Sequence, residues 1–138
     1  MLHVSELARS TQFYCDVLGL KEVGRNPELR IVFLSFGIND HDIGLREAGV
    51  ASEESAGSRA GLDHIAFRIG ADIEDLRRFK ARLELLGIAI KRIDEHVAIT
   101  SIYFSDPDGI ALEVYIEHSQ ESWRGKPQAR FARPTQLD

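Results

Sequence analysis

The chain has 138 residues, a length that suits a single domain, and its apolar content of 43% is enough for an ordinary hydrophobic core. The net charge of −5, with acidic and basic residues interspersed, argues against a nucleic-acid partner, because such binding favours a basic face. No apolar run approaches the roughly 20 residues of a membrane span, and no secretion leader is recognisable. With a single cysteine, no intramolecular disulfide can form, so we expect a cytoplasmic protein with no membrane partner.

Two segments carry the apolar spacing of amphipathic helices. The first covers about residues 6–18 and stops at Gly19, a residue typical of the position after a helix. The second covers about residues 72–86, with Asp72 able to cap its start and Gly87 ending it. Both helices should therefore present one apolar stripe to a core.

Each predicted helix is preceded by one strand-like segment and followed by three. The first set covers residues 1–5, 21–24, 29–36 and 42–46, and the second covers 64–69, 88–93, 100–104 and 111–116. This order predicts two βαβββ modules, an internal repeat of about 60 residues, and an α+β class. We expect one domain in which module one covers about 1–47, a linker 48–60, module two 61–116 and a surface tail 117–138.

The side chains that carry chemistry concentrate in module two. His64 begins its first strand, and Glu113 lies in its last strand on the face opposite Leu112 and Val114. Histidine and carboxylate ligands suit non-haem Fe(II) as well as Zn, Mn or Ni. On periodicity alone, the commoner interpretation is a hydrogen-bonded core His64 and a solvated Glu113.

Three further side chains are candidates for the same site. Tyr103 precedes Glu113 by ten residues, and the intervening Asp106-Pro107-Asp108-Gly109 predicts a tight turn that makes the two strands a hairpin. His96 lies in a polar stretch before that hairpin, and His41 opens the last strand of module one. Taken alone, these are more often a packing tyrosine, a surface histidine and a turn histidine.

Taken together, these motifs resemble the vicinal-oxygen-chelate superfamily over residues 1–116. The resemblance rests on the helix segment at 13–20 (FYCDVLGL), the turn at 106–109 (DPDG) and the strand at 112–115 (LEVY). These motifs are shared by glyoxalase-like lyases, fosfomycin thiol transferases, drug-sequestering proteins and extradiol dioxygenases. The resemblance implies that the two modules form a cupped mixed sheet with the helices outside.

More specific motifs are similar to the catechol 2,3-dioxygenase-like branch. They are the run 96–109 from histidine through tyrosine to the turn, the His-Asp-Ile at 41–43, and the stretch 117–123 that ends in tryptophan. The resemblance implies that His64 and Glu113 are Fe(II) ligands and that His41 is the acid/base residue. It further implies that Tyr103 binds a substrate hydroxyl, that His96 lines the substrate side, and that the partners are a small aromatic substrate and O₂.

The first strand departs from this branch, whose first metal ligand is a histidine about seven residues before the acidic residue that starts the first helix. Counting back from Glu6 passes the first residue given, and His3 lies four residues too late, about 13 Å along a strand. We therefore expect Fe(II) to be weakly bound or absent. Either an upstream start supplies the histidine or the protein has lost its metal.

Two hypotheses of different class follow. The first is an Fe(II)-dependent extradiol dioxygenase that cleaves a catechol-like aromatic, and the second is a metal-free small-molecule-binding or resistance protein of the same superfamily. The short first strand leaves an open sheet edge that a second copy would cover, and the resemblance implies paired modules, so we also expect a homodimer.

Overall fold

The computed structural model describes residues 1–48, 62 and 64–119, together with the backbone of 135–136. The chain divides into two compact units. The first contains Met1–Gly61 with the turn Asp106–Gly109, and the second contains Leu62–Ser105 and Ile110–Asp138. The predicted linker and tail fall almost wholly outside the described residues, as does most of the tryptophan-ending stretch 117–123.

The first unit contains one βαβββ module. Its elements are β1 (Leu2–Val4), α1 (Leu7–Leu18), β2 (Lys21–Asn26), β3 (Ile31–Ser35) and β4 (Ile43–Glu47). The sheet order is β1-β4-β3-β2, with β1 parallel to β4 and the other neighbours antiparallel. Buried side chains from α1 and the strands form its core: Val4, Leu7, Tyr14, Val17, Val32, Leu34 and Leu45.

The second unit repeats this order. Its elements are β5 (Ile65–Gly70), α2 (Ile73–Leu85), β6 (Arg92–Glu95), β7 (Ile99–Ser105), β8 (Ala111–Glu117) and β9 (Thr135–Gln136). The sheet order is β5-β8-β7-β6-β9, and β5 runs parallel to β8 as β1 does to β4. The predicted α+β class with two βαβββ modules is therefore confirmed.

The end of α1 and the start of α2 lie where the sequence predicts them. α1 stops at Gly19, whose φ of 76° is easy only for glycine, and its N–H donates to the carbonyl of Cys15. α2 starts with a capping box, in which Asp72 accepts from the first turn and Asp75 accepts from the Asp72 N–H. Neither described helix is long and apolar enough to cross a membrane.

Two strand predictions were wrong. The strand predicted at 88–93 begins only at Arg92, because the Ile88 N–H already bonds the Leu83 carbonyl and closes the end of α2. The strand also extends to Glu95, two residues beyond its predicted end. The tail, for which no strand was predicted, contributes the two-residue β9, which pairs with Asp94 and Glu95.

Alternation along β7 and β8 separates two faces of the second sheet. Ile102, Phe104, Leu112, Val114 and Ile116 are fully buried, and the Phe104 ring packs on Phe79 of α2 at a centroid distance of 5.8 Å. These residues therefore form the helix-covered face. Residues of opposite parity, among them Ser101, Tyr103 and Glu113, project from the other face.

The turn Asp106–Gly109 packs on α1. The buried Tyr14 hydroxyl donates to Oδ2 of Asp106 at 3.0 Å, and the Asp108 carboxylate accepts from the Ser5 N–H at 3.1 Å and from Arg9 at 3.0 Å. Glu6, the residue at the helix N-cap, makes no side-chain capping bond. The carboxylate of Asp108 thus satisfies a backbone donor just before the helix and a side-chain donor in its first turn.

Tyr14→Phe is expected to lower the free energy of unfolding by about 1.5–3 kcal/mol, the range for a hydrogen bond to a charged group. Urea unfolding at pH 7 measures this. Burial, followed by the nearby Asp106 carboxylate, raises the pKa of Tyr14 above its ordinary value of 10.0. The stabilisation is therefore complete below about pH 10 and is lost as the pH rises through the folded-state pKa, so the difference from wild type should shrink in that range.

Thr11→Val is the matched control for this variant. Thr11 lies in the same helix, and its buried hydroxyl has no hydrogen-bond partner among the described residues. Its loss should change stability by less than about 0.5 kcal/mol, the usual range for substitutions that break no specific interaction. Equal effects of the two substitutions would show that the Tyr14–Asp106 bond does not stabilise the unit.

Candidate functional site

The candidate site lies on the face of the second sheet that α2 does not cover. β8 is flanked by β5 and β7, and the register places Glu113 opposite Ala66 on one side and Tyr103 on the other. His64 directly precedes β5 and has the same parity as Ala66, so it projects from the same face. Three strands thus bring His64, Glu113 and Tyr103 together.

His64 and Glu113 are in direct contact. Nε2 of His64 lies 2.8 Å from Oε2 of Glu113, and the side chains are 32% and 6% exposed. An ionised carboxylate only accepts hydrogen bonds, so in this pair Nε2 carries the proton and donates it. Burying a carboxylate to this extent is costly unless it is paired. Glu113 is therefore not the solvated residue that periodicity alone would predict.

The second carboxylate oxygen of Glu113 has a separate partner. The hydroxyl of Ser101, a fully buried residue, donates to Oε1 at 2.5 Å. The two oxygens of Glu113 are therefore held by different groups from different strands. These charge-assisted bonds offset the desolvation of the carboxylate and fix its orientation.

Tyr103 lies beside the pair, with its ring centroid 5.8 Å from that of His64. The guanidinium carbon of Arg92 stands 3.8 Å from the Tyr103 ring centroid, and Arg92 is itself held by the buried Asp94, Nε to Oδ2, at 2.8 Å. Burial, followed by the Glu113 charge, raises the pKa of Tyr103, while a hydrogen bond from Arg92 opposes this. Tyr103 is therefore a neutral hydrogen-bond donor at physiological pH.

The His64–Glu113 pair fits two neighbouring positions on a metal ion. Ligand atoms at about 2.1 Å from one ion and at right angles to each other are about 3.0 Å apart, close to the observed 2.8 Å. The nitrogen and oxygen donors suit non-haem Fe(II). Among residues 1–48, 62 and 64–119, no group of three or more His, Cys, Asp or Glu side chains gathers as a metal site.

The other predicted site residues belong to other elements of the chain. His41 belongs to the first unit, where Nδ1 lies 2.7 Å from Asp40 and the ring lies 4.8 Å from that of Phe33, in an open cleft of about 160 Å³.

His96 lies in the β6–β7 turn, about 13 Å along β7 from Tyr103. His3 is exposed on β1 opposite Arg46. The roles assigned to His41 and His96 stay predictions.

Comparison with models of protein families identifies the family of the chain. The model of the Glyoxalase/Bleomycin resistance protein/Dioxygenase superfamily matches residues 1–114. The chain belongs to this superfamily.

Two relatives of the chain are dioxygenases by name. The chain is 33% identical to a catechol-2,3-dioxygenase of Bacillus subtilis, over 97% of its own length and 46% of the relative's. It is 32% identical to biphenyl-2,3-diol 1,2-dioxygenase 3 of Rhodococcus globerulus, over 86% and 61% of the two lengths. The chain thus spans about half the length of the curated relatives it matches.

A solved structure supports the superfamily fold. The glyoxylase/bleomycin resistance protein/dioxygenase domain from Frankia sp. EAN1pec is 28% identical, with a TM-score of 0.68 over 83% of this chain and 86% of that one. The predicted resemblance to the superfamily and its fold is therefore confirmed.

Three residues of this superfamily member's site were missed from the sequence: Ser101, Arg92 and Asp94. Ser101 was findable, because it lies two residues before Tyr103 and so shares its face. Arg92 and Asp94 were not identified as site residues because the strand that carries them was predicted with the wrong bounds. With the observed register of Arg92 opposite Tyr103, both would have been assigned to the same face.

Proposed function

We propose that the chain is an extradiol-type dioxygenase domain that uses Fe(II) and O₂ to cleave catechol-like aromatics. The contact between His64 and Glu113, with Tyr103 beside it on one sheet face, carries the proposal. The two relatives named as catechol and biphenyl-diol dioxygenases favour this activity over others of the superfamily.

His64 and Glu113 are the residues that would hold Fe(II). When bound, Fe(II) supplies a Lewis-acidic centre that lowers the pKa of a catechol's adjacent hydroxyls and brings the ring and O₂ together. The neutral hydroxyl of Tyr103 would donate to a substrate oxygen, which orients the ring. We assign the acid/base role to His41 and the substrate-facing role to His96 on the strength of the superfamily branch.

Because only two ligand side chains meet among the described residues and Fe(II) should bind weakly, ring cleavage is expected when the purified protein is loaded anaerobically with excess Fe(II) and then mixed with air-saturated catechol or 2,3-dihydroxybiphenyl. One O₂ should disappear per ring opened, because both oxygen atoms enter the product. An oxygen electrode and the visible absorbance of the ring-opened product measure the two quantities. Iron-loaded protein that leaves both diols intact would remove the dioxygenase proposal for them.

A metal-free small-molecule-binding protein is the second candidate. It is favoured by the two ligand-type side chains that meet in the second unit, one fewer than the three of a facial triad. Catechol binding by calorimetry with no Fe(II) uptake would support this candidate. A homodimer and a cytoplasmic location stay predictions from the sequence.

A further inference from the structure

We infer that Ser101 is a positioning residue that holds one oxygen of Glu113, so that the other oxygen alone faces His64 and the metal. This inference rests on the proposed Fe(II) function, and it concerns how that site is built. Ser101 lies on β7, diagonally across from Glu113 on β8, and is not itself a ligand.

The two carboxylate oxygens of Glu113 have different partners, besides the Tyr103 hydroxyl, which also hydrogen-bonds this carboxylate. Oε1 accepts from the Ser101 hydroxyl at 2.5 Å, and Oε2 meets Nε2 of His64 at 2.8 Å. Ser101 is fully buried, so no bulk water competes for this bond. The carboxylate is thereby fixed before any metal arrives, since its rotation would break both contacts.

A second serine on the same strand shows that burial alone does not demand this bond. Ser105 lies four residues along β7 with the same parity, and its buried hydroxyl has no hydrogen-bond partner among the described residues. β7 therefore tolerates a buried serine without a partner. The Ser101 hydroxyl is distinguished by being directed at the carboxylate.

The consequence is that one oxygen of Glu113 is already engaged by the Ser101 hydroxyl, while the other faces His64. Glu113 and His64 are the residues that would hold Fe(II). Ser101 would strengthen their hold on the metal by keeping the carboxylate in one orientation.

Anaerobic calorimetric titration with Fe(II) alone tests the inference on three variants of the full chain. Ser101→Ala should weaken Fe(II) binding about 10- to 100-fold, the usual effect of losing a group that orients a ligand. Ser101→Thr keeps the hydroxyl and should bind within about threefold of wild type on the same principle. Ser105→Ala is the matched control and should bind as wild type does.

Co(II) absorption is the second measurement, because its visible bands respond to the number of bound oxygens. Ser101→Ala should shift the Co(II) spectrum while Ser101→Thr and Ser105→Ala keep the wild-type bands. A merely structural serine would lower the unfolding temperature of the metal-free protein and leave both the Fe(II) affinity and the Co(II) bands unchanged. That result would overturn the inference.

The outcomes separate this inference from the proposed function. Weaker metal binding by Ser101→Ala supports the role of Ser101 even if the iron-loaded wild type cleaves no diol. Ring cleavage by wild type with unchanged metal binding in Ser101→Ala keeps the dioxygenase and overturns the inference. Wild-type protein that binds neither Fe(II) nor Co(II) overturns both.

Discussion

Replacing His64 by alanine is expected to weaken Fe(II) binding by more than about 100-fold and to abolish ring cleavage. The loss should exceed that for a residue that only orients a ligand, about 10- to 100-fold, because His64 is one of the two side chains placed to bind the ion. Anaerobic titration with Fe(II) and oxygen uptake with catechol measure the two effects.

The same substitution should also destabilise the metal-free protein. Glu113 has a side chain only 6% exposed, and His64 is one of its hydrogen-bond donors. A buried carboxylate that loses a donor costs on the order of 1–3 kcal/mol. Urea unfolding of the metal-free protein would show this as a lower midpoint.

His118→Ala is the control that separates loss of a ligand from loss of a histidine. His118 belongs to the same unit, where its Nε2 lies 2.9 Å from the hydroxyl of Thr100, a residue of the parity that faces α2. Its removal should leave Fe(II) affinity unchanged. If His64→Ala still bound iron tightly and with full stoichiometry, other groups would bind the metal. The proposed metal site at His64 and Glu113 would then be abandoned.

The sequence predicts the helices and most strands because their signals are local. The apolar spacing of α1 and α2, Gly19 after the first and Asp72 before the second each act over a few residues. The face shared by Tyr103 and Glu113 followed from two local facts: strand alternation and the turn at 106–109. The helix ends and the hairpin depend on signals of this kind. The meeting of His64 with Glu113, whose separation in sequence is 49 residues, was implied by the resemblance to the superfamily.

Competing and long-range interactions explain what the sequence missed. The segment at 88–91 has strand-like residues, but the Ile88 N–H is committed to the end of α2, so the strand begins later, at Arg92. β9 pairs with β6 across some 40 residues of chain. A strand of two residues is too short to show a hydrophobic periodicity that would predict it. The hydrogen bond from Ser101 depends on the direction of its hydroxyl. Strand alternation predicts on which sheet face a side chain lies, but not the direction of its hydroxyl.

Tyr103→Phe is expected to lower the turnover of catechol by about 100-fold, the loss that misplacing a substrate in its site can cause. The hydroxyl is the only atom removed, and the ring would keep its contacts with His64 and with the Arg92 guanidinium at 3.8 Å. Because the lost hydroxyl is hydrogen-bonded to the charged Arg92 and Glu113, stability should also fall, by about 1.5 kcal/mol, the lower end of the range for a hydrogen bond to a charged group. Steady-state kinetics and urea unfolding of the same preparation test both statements.

Tyr115→Phe removes a hydroxyl from the same sheet face and so controls for a general loss of polarity there. Tyr115 lies two residues beyond Glu113 on β8, opposite Ser101 rather than beside His64. It should retain wild-type turnover. Burial and the Glu113 charge keep the pKa of Tyr103 above its ordinary value, so the hydroxyl that Tyr103→Phe removes is protonated throughout the pH range of the assay. Unchanged turnover in Tyr103→Phe would mean that the hydroxyl contributes only to packing, and the substrate-binding role would pass to another residue of that face.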